Sequence, residues 1–223
     1  MSVAAHDIRN PIAVVRASAQ MAQRQLNRGD ADAVRGRLAA IVEQTDRVAE
    51  MLETFLDAAR SAAGRLPLRR EEVDLRELIE SAVERARRVS GEPSDRPLLL
   101  DMPQPCLGVW DPARTTRAVR ALIENAILYG DGSAPIQVAV RPEGGRVRVV
   151  VSGGGRGPDA NEAEHLFERF YRGPSAAEVG HGGSGLGLYT ARGIARAHGG
   201  NVKRSGPDQP PDSFEIELPL APR

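Results

Sequence analysis

Four side chains near the N-terminus are close enough in sequence to act together: His6, Asp7, Asn10 and Pro11. A histidine changes charge near neutral pH, and an asparagine amide can both donate and accept a hydrogen bond. On a helix, Asn10 shares the face of His6, while the ring of Pro11 removes a hydrogen bond one position from His6. Such an arrangement costs local stability without a packing gain. Taken alone, however, His6 is most simply interpreted as an ordinary solvated residue.

Two glycine-rich segments in the second half of the chain can present backbone N–H groups to an anion. The first, VSGGGRGP, follows an alternating apolar stretch, and the second, GSGLGL, runs into a helix predicted from about Leu186. The positive end of that helix favours a phosphate chain. Each segment alone is equally consistent with a tight turn at the end of a strand. The positions concerned are Gly153, Gly155 and Gly157 in the first segment, and Gly183, Gly185, Leu186 and Gly187 in the second.

The region that carries His6 is predicted to form two helices. Small and apolar residues recur at alternating intervals of four and three over residues 8–26 and again over residues 34–59, after the polar turn 27–30. These helices are expected to form an antiparallel hairpin, with His6 pointing away from the apolar seam. Because a lone hairpin buries too little surface, we expect a second copy to complete a dimeric four-helix bundle. The open alternative is that both helices pack against the rest of the same chain.

Beyond Ser61–Leu66, where the heptads end, the pattern changes to alternating helical and strand-like stretches. We therefore expect one domain over residues 1–62 and a second over residues 63–223. In the second domain, helices are predicted over about residues 75–88 and from Asp111, and short strands at LLLDM, CLGVW, IQVAV and RVRVVV. The predicted fold is an α helical hairpin followed by an α/β sandwich.

The composition excludes several classes of protein. The 223 residues include 30 basic and 30 acidic side chains, so the net charge of zero gives no reason to expect nucleic acid or an anionic membrane as the partner. No apolar run reaches the roughly 18 residues of a membrane span, and the N-terminus lacks a secretory signal, so we expect a cytoplasmic segment. Cys106 is the single cysteine, which excludes an internal disulfide and a structural zinc site. Lys203 is the single lysine and fits neither a P-loop nor a protein kinase strand.

Five short motifs, in order along the chain, resemble those of the two-component sensor histidine kinases. AHDIRNPI resembles the family's phosphoacceptor box, ALIENAILYG its asparagine box, VSGGGRGP its first glycine box, LFERFYRG its phenylalanine box and GSGLGL its second glycine box. The resemblance extends over essentially the whole chain. It implies a dimerisation and phosphotransfer bundle, followed by an ATP-binding sandwich of a mixed sheet and helices.

The resemblance also implies roles for the residues near the N-terminus. His6 would be the nucleophile that receives the γ-phosphoryl group of ATP and passes it to an aspartate of a response regulator receiver domain. Asp7 would hold the tautomer of the imidazole. Asn10 would orient a water that removes phosphate from the regulator.

In the second domain, the resemblance implies a nucleotide site. Asn125 would help to hold Mg²⁺, and Tyr129 would pack near the base. Arg169 and Arg172 would meet phosphate oxygens, under a mobile lid over residues 172–184. The remaining contacts implied with the nucleotide are those of Gly153, Gly155, Gly157, Gly183, Gly185, Leu186 and Gly187.

Three positions depart from the family pattern. The first glycine box usually begins with an aspartate that binds the adenine amino group, and Gly153 stands there. Ala121 replaces a polar residue, and Leu128 replaces a common lysine. Because a lost hydrogen bond to a charged partner weakens binding about ten- to 150-fold, Gly153→Asp is expected to tighten ATP binding.

Together these observations predict a dimeric histidine kinase core that uses ATP and Mg²⁺ to phosphorylate His6. The alternative is a degenerate kinase whose bundle acts mainly as a regulator phosphatase or a scaffold, with weak or absent ATP binding. A third interpretation, an ATPase of the chaperone or mismatch-repair type, is disfavoured by the heptad hairpin that carries His6.

Overall fold

The computed structural model describes residues 3–89, 96–102, 104–174, 184–205 and 210–220, without the side chains of residues 3–6, 88, 89 and 160. Within these ranges the chain divides into two compact units. The first ends at Leu56 and the second begins at Asp57, with Ser184 grouped with the first.

The first unit consists of helical segments joined by a tight turn. Helix α1 spans Val3–Leu26 and continues through Pro11, and helix α2 spans Ala31–Ala62, so that its last residues belong to the second unit. Gly29 lies in the turn with a φ of 75°, a conformation that glycine adopts without strain. The Asp30 carboxylate accepts a hydrogen bond from Ala33 N at 3.1 Å, which caps α2.

The apolar residues of α2 divide between two faces. Four of the residues predicted to form the seam are half-buried in the single chain: Val34, Ile41, Val48 and Phe55. The sequence also predicts Leu38, Thr45 and Leu52 in this seam, but the structure leaves them exposed, with Leu38 and Leu52 52% and 54% accessible. They form a second stripe with Val42, which is 60% accessible. We call this stripe the exposed seam; its members are Leu38, Val42, Thr45, Ala49, Leu52 and Leu56.

The second unit is built on a five-stranded mixed sheet with the strand order β2–β4–β5–β7–β6, in which only the β2–β4 pair is parallel. Strands β1 and β3 form a separate antiparallel pair. The strands span Glu71–Asp74 (β1), Leu98–Asp101 (β2), Leu107–Trp110 (β3), Ile136–Glu143 (β4), Arg146–Ser152 (β5), Asn201–Arg204 (β6) and Phe214–Pro219 (β7). The helices span Leu75–Val89 (α3), Pro112–Tyr129 (α4), Ala160–His165 (α5) and Gly187–Ala197 (α6).

Helix α4 packs against both α3 and α6, and α4 and α6 also pack on the sheet, which gives the two-layer α/β sandwich predicted from the sequence. The core lies between the layers, where Val149 and Ile216 of the sheet and Leu122 and Ile194 of the helices are fully buried. The predicted helical hairpin followed by an α/β sandwich is therefore confirmed at the level of its elements.

Cys106 lies just before β3 and is buried, with 4% of its surface exposed. Its backbone N–H donates to the Asp74 carboxylate at 3.3 Å. Burial raises the pKa of the thiol, and the negative charge of Asp74 adds to this effect.

Candidate nucleotide site of the second unit

Helix α4 places three site positions on one face. Ala121, Asn125 and Tyr129 follow one another at intervals of four residues and are all half-buried. The helix begins at Asp111, whose carboxylate accepts from Arg114 N at 3.0 Å, with Pro112 in the first turn. At 1.5 Å per residue, the backbone at the two ends of this face is about 12 Å apart.

The first glycine segment packs against the C-terminal end of α4. A Cβ on Gly155 would lie 2.7 Å from the carbonyl oxygen of Tyr129, and a Cβ on Gly153 would overlap the carbonyl oxygen of Ala126. Asp131 N, just after the helix, donates to Gly153 O at 3.0 Å. The backbone therefore approaches too closely for side chains at these two glycines. The expected tightening of ATP binding by Gly153→Asp would therefore require this backbone to shift.

The second glycine segment meets the other end of the same helix face. Gly187, the first residue of α6, is placed so that a Cβ on it would lie 3.7 Å from the Ala121 side chain. Helix α6 begins without a side-chain cap, and Leu186 before it is buried. Its first-turn N–H groups and its dipole therefore form an end suited to an anion. Gly183 lies outside the described residues.

The phenylalanine box and the second glycine segment are joined by a close backbone contact. Gly185 has a φ of 66°, and a Cβ on it would lie 2.7 Å from Phe170 C and from Tyr171 O. Phe170 N donates to Gly185 O at 3.0 Å, and Phe170 itself adopts a φ of 64°, which is uncommon for a bulky residue. The glycine box is thereby fixed relative to the phenylalanine box.

The two arginines predicted to meet phosphate lie at different ends of the α4 face. The Arg169 guanidinium lies 5.8 Å from the ring centroid of Tyr189, in the first turn of α6, and 5.5 Å from that of Phe170. Arg172 instead acts on Tyr129: burial raises the pKa of the Tyr129 hydroxyl, and the positive charge of Arg172 opposes this rise. Arg169 is thus beside the α6 end and Arg172 beside the Tyr129 end. Most of the predicted lid, residues 175–183, lies outside the described residues.

Comparison with known proteins identifies the family of the chain. The family described as "Histidine kinase-, DNA gyrase B-, and HSP90-like ATPase" matches residues 110–222, and the "His Kinase A (phospho-acceptor) domain" matches residues 1–64. The chain belongs to the histidine kinases.

Named relatives are histidine kinases as well. "Sensor-like histidine kinase SenX3" of Mycolicibacterium smegmatis is 26% identical over 218 residues, which is 97% of this chain and 56% of SenX3. "Probable sensor histidine kinase TcrY" of Mycobacterium tuberculosis is 32% identical over 97% of this chain and 44% of TcrY. The chain thus spans about half the length of the curated relatives that it matches. The solved structure of "Acinetobacter baumannii histidine kinase AdeS" has the same fold, with a TM-score of 0.64, 19% identity and coverage of 96% of this chain and 98% of AdeS.

The residues of this histidine kinase core that resemble the family's phosphoacceptor box lie in α1, within the part matched by the His Kinase A domain. Asp7 is half-buried, Asn10 is exposed and Pro11 is buried, whereas the side chain of His6 lies outside the described part. No helix in the described ranges is long and apolar enough to cross a membrane.

Two other histidines of the kinase core are held by partners. His198 Nε2 accepts from Asp111 N at 2.9 Å, its Nδ1 donates to Ile194 O at 2.9 Å, and burial lowers its pKa. His165 Nδ1 lies 2.8 Å from Glu168 Oε1, which raises the pKa of His165. With both nitrogens occupied, His198 has none left to attack a phosphoryl group. His181 lies outside the described residues.

Sequence reasoning missed two residues that shape the glycine segment of this kinase. Arg96 donates from Nη2 to Gly153 O at 2.8 Å and from Nε to Ala134 O at 3.0 Å, which braces the segment. Asp212, just before β7, accepts at one carboxylate oxygen from Gly153 N at 2.6 Å and from Gly155 N at 3.0 Å. Neither belongs to a motif, so only the folded sheet brings them to the site.

Proposed function

We propose that this chain is the catalytic core of an ATP-dependent protein-histidine kinase that phosphorylates His6 and passes the phosphoryl group to a response regulator aspartate. The observation that carries the proposal is the α4 face, which contacts the second glycine segment at Ala121 and the first at Tyr129. A nucleotide lying along this face would have its phosphates at the α6 end and its base at the Tyr129 end.

The transfer step follows from the groups in the two units. One imidazole nitrogen of His6 attacks the γ-phosphorus, the bond from that phosphorus to the bridging oxygen breaks, and ADP leaves. The Asp7 carboxylate accepts a hydrogen bond from the other ring nitrogen and stabilises the positive charge that develops on the ring. The phosphoryl group then moves to a carboxylate oxygen of the regulator, which regenerates neutral His6.

Asn125 is the residue that fits Mg²⁺. Asn125 lies on α4 midway between the positions of the two glycine contacts, and its amide oxygen is the ligand type that this hard cation prefers. Bound Mg²⁺ would neutralise phosphate charge during transfer. Among the described residues, no three His, Cys, Asp or Glu side chains are grouped to hold a metal ion.

A second copy of the chain is the proposed partner of the exposed seam. The seam repeats at intervals of four and three over five helical turns of α2, the spacing at which two helices interlock. Since Leu38, Val42 and Leu52 are more than half exposed in one chain, their burial requires a partner.

Autophosphorylation tests the proposed function directly. Incubation with radiolabelled ATP should give an acid-labile, base-stable label, as expected for a phosphoramidate, and His6→Ala should abolish it. His165→Ala is the matched control, because His165 is an exposed histidine of the second unit. Label retained in His6→Ala would place the nucleophile elsewhere.

A second candidate function is a dominant regulator phosphatase. Asn10 is exposed on α1, where it can position a water, whereas Ala121 and Leu128 lack the polar groups common in the family. Loss of phosphate from the regulator should then depend on Asn10 more than on Asn125. The measurement compares this rate for wild type, Asn10→Ala and Asn125→Ala. An unchanged rate in Asn10→Ala, or rapid autophosphorylation with no phosphatase activity, contradicts this candidate.

A further inference from the structure

Asp212 holds a carboxylate at the position where Gly153 has no side chain. One of its oxygens, Oδ2, accepts from Gly153 N at 2.6 Å and from Gly155 N at 3.0 Å. The residue comes from the segment before β7, 59 positions along the chain from Gly153. The side chain is 7% exposed, so the carboxylate is part of the interior of the site and not of the solvated surface.

The other carboxylate oxygen of Asp212 is unsatisfied. Oδ1 is buried and has no hydrogen-bond partner within the described residues. Buried polar atoms in native proteins are normally paired, and a buried carboxylate oxygen left alone is costly. An unpaired acceptor held in place by two backbone N–H groups indicates that its partner is a donor on a bound molecule.

The location of Asp212 indicates which part of the bound molecule this is. Gly155 lies against the carbonyl of Tyr129, at the end of the α4 face opposite the α6 N-terminus. Phosphate groups belong at the α6 end, so the base lies at the end where Asp212 is found. A carboxylate oxygen accepts from the exocyclic amino group of adenine, whereas guanine presents a carbonyl oxygen at the same ring position.

We infer that Asp212 is the residue that recognises the adenine amino group in this chain, in place of a side chain at position 153. This inference rests on the proposed use of ATP. It also explains how Gly153 is tolerated: the backbone of α4 occupies the space of its Cβ, and a carboxylate from the neighbouring strand reaches the same place.

The test compares ATP with purine riboside 5′-triphosphate, which lacks only the amino group. Titration calorimetry on the full chain should show ATP binding about ten- to 150-fold more tightly than the purine analogue, the range for a charge-assisted hydrogen bond. Asp212→Asn keeps an oxygen for the two glycine N–H groups but turns a donor toward the amino group. This variant should bind the two nucleotides within about threefold of each other, because the donor cannot pair with the amino group.

Asp131→Asn is the matched control, because Asp131 is an exposed carboxylate next to the same segment that bonds to Ser133. It should keep the wild-type preference for ATP. If Asp212 has only a structural role, Asp212→Asn should weaken the binding of both nucleotides equally and leave the preference for ATP unchanged. That result overturns the inference. Equal binding of both nucleotides by wild type overturns it as well, while the use of ATP stands. If wild type binds neither nucleotide, the proposed function and the inference both fail.

Discussion

The two units of this kinase core differ in how completely one chain buries its apolar residues. In the sandwich, a continuous set of large apolar residues between the helix layer and the sheet is buried, and Leu122 and Ile216 are fully so. In the helical unit, Leu38, Val42 and Leu52 are more than half exposed. The sandwich therefore has its own buried core, whereas the helical unit leaves the exposed seam that we propose a second copy covers.

This difference in burial follows from how many elements pack around each helix. Along the part of α2 that belongs to the first unit, no described element covers the exposed side chains Leu38, Val42 and Leu52. In the second unit, α4 contacts α3, α6 and two strands, and its apolar residues face neighbours on several sides. The number of neighbours, more than hydrophobicity, separates the two units.

The largest effect is expected from matched leucine truncations. Leu122→Ala removes a fully buried side chain and should lower the unfolding free energy of the sandwich by about 3–5 kcal/mol. Leu52→Ala removes a side chain that is 54% exposed and should leave the sandwich transition unchanged. Urea denaturation followed by Trp110 fluorescence measures both, since Trp110 is buried in the sandwich. Equal losses would contradict the contrast between the units.

Asp57 tests where the second unit begins. It is fully buried in α2 and pairs with Arg114, at 3.3 Å, and with Arg117. Asp57→Asn removes the buried carboxylate that the two arginines share, although Arg114 keeps its ion pair with Asp111, and should lower the unfolding free energy of the second unit by about 2–3 kcal/mol. The neighbouring exposed carboxylate Glu53 supplies the control variant Glu53→Gln, with a smaller change. If both variants match wild type in urea denaturation, the end of α2 does not stabilise the second unit.

A charge in the exposed seam should separate two copies of the chain. Leu52→Glu would bury an unpaired carboxylate in the interface, which at about 3 kcal/mol weakens dimerisation roughly a hundredfold. The heptads predict that charged variants of Ile41 and Val48 also disrupt the dimer. Both residues are half-buried in one chain, so a charge there would disturb the chain itself, and Leu52 gives the cleaner test. Sedimentation at micromolar concentration should show dimer for wild type and monomer for the variant. A wild-type monomer would rule out the proposed partner.

The smallest effect concerns pH and is confined to the sandwich. Burial lowers the pKa of His198 below its unfolded value near 6.5, so the unfolded chain binds the proton more strongly. Stability is therefore full above pH 6.5 and falls below it, by at most about 1.4 kcal/mol per pH unit. His198→Gln should flatten this part of the stability profile between pH 7.5 and 5.5. His165→Gln should not, because the pKa of His165 is shifted upward; an unchanged slope in His198→Gln refutes the assignment.

The sequence was sufficient to predict the main helices and strands and the positions of the motifs on them. The heptads predicted α1 and α2, the Asp111-Pro112 pair predicted the start of α4, and the second glycine segment predicted the start of α6. The division of α2 into a half-buried and an exposed stripe was not predictable. Heptad spacing shows which residues are apolar, but it does not show whether the helix that covers them belongs to the same chain or to a partner. Asp212 and Arg96 were missed because long-range strand pairing, and no local spacing, brings them to Gly153.

The buried thiol of Cys106 makes the chain suited to chemical trapping. With one cysteine in the sequence and that thiol at 4% exposure, a thiol reagent reacts only with molecules whose sandwich has opened around β3. The labelling rate therefore reports the opening of the second unit without a signal from the first. A cysteine introduced into the exposed seam would, by contrast, be the one reactive thiol of the folded chain. A crosslink between two such chains would then form only at that position.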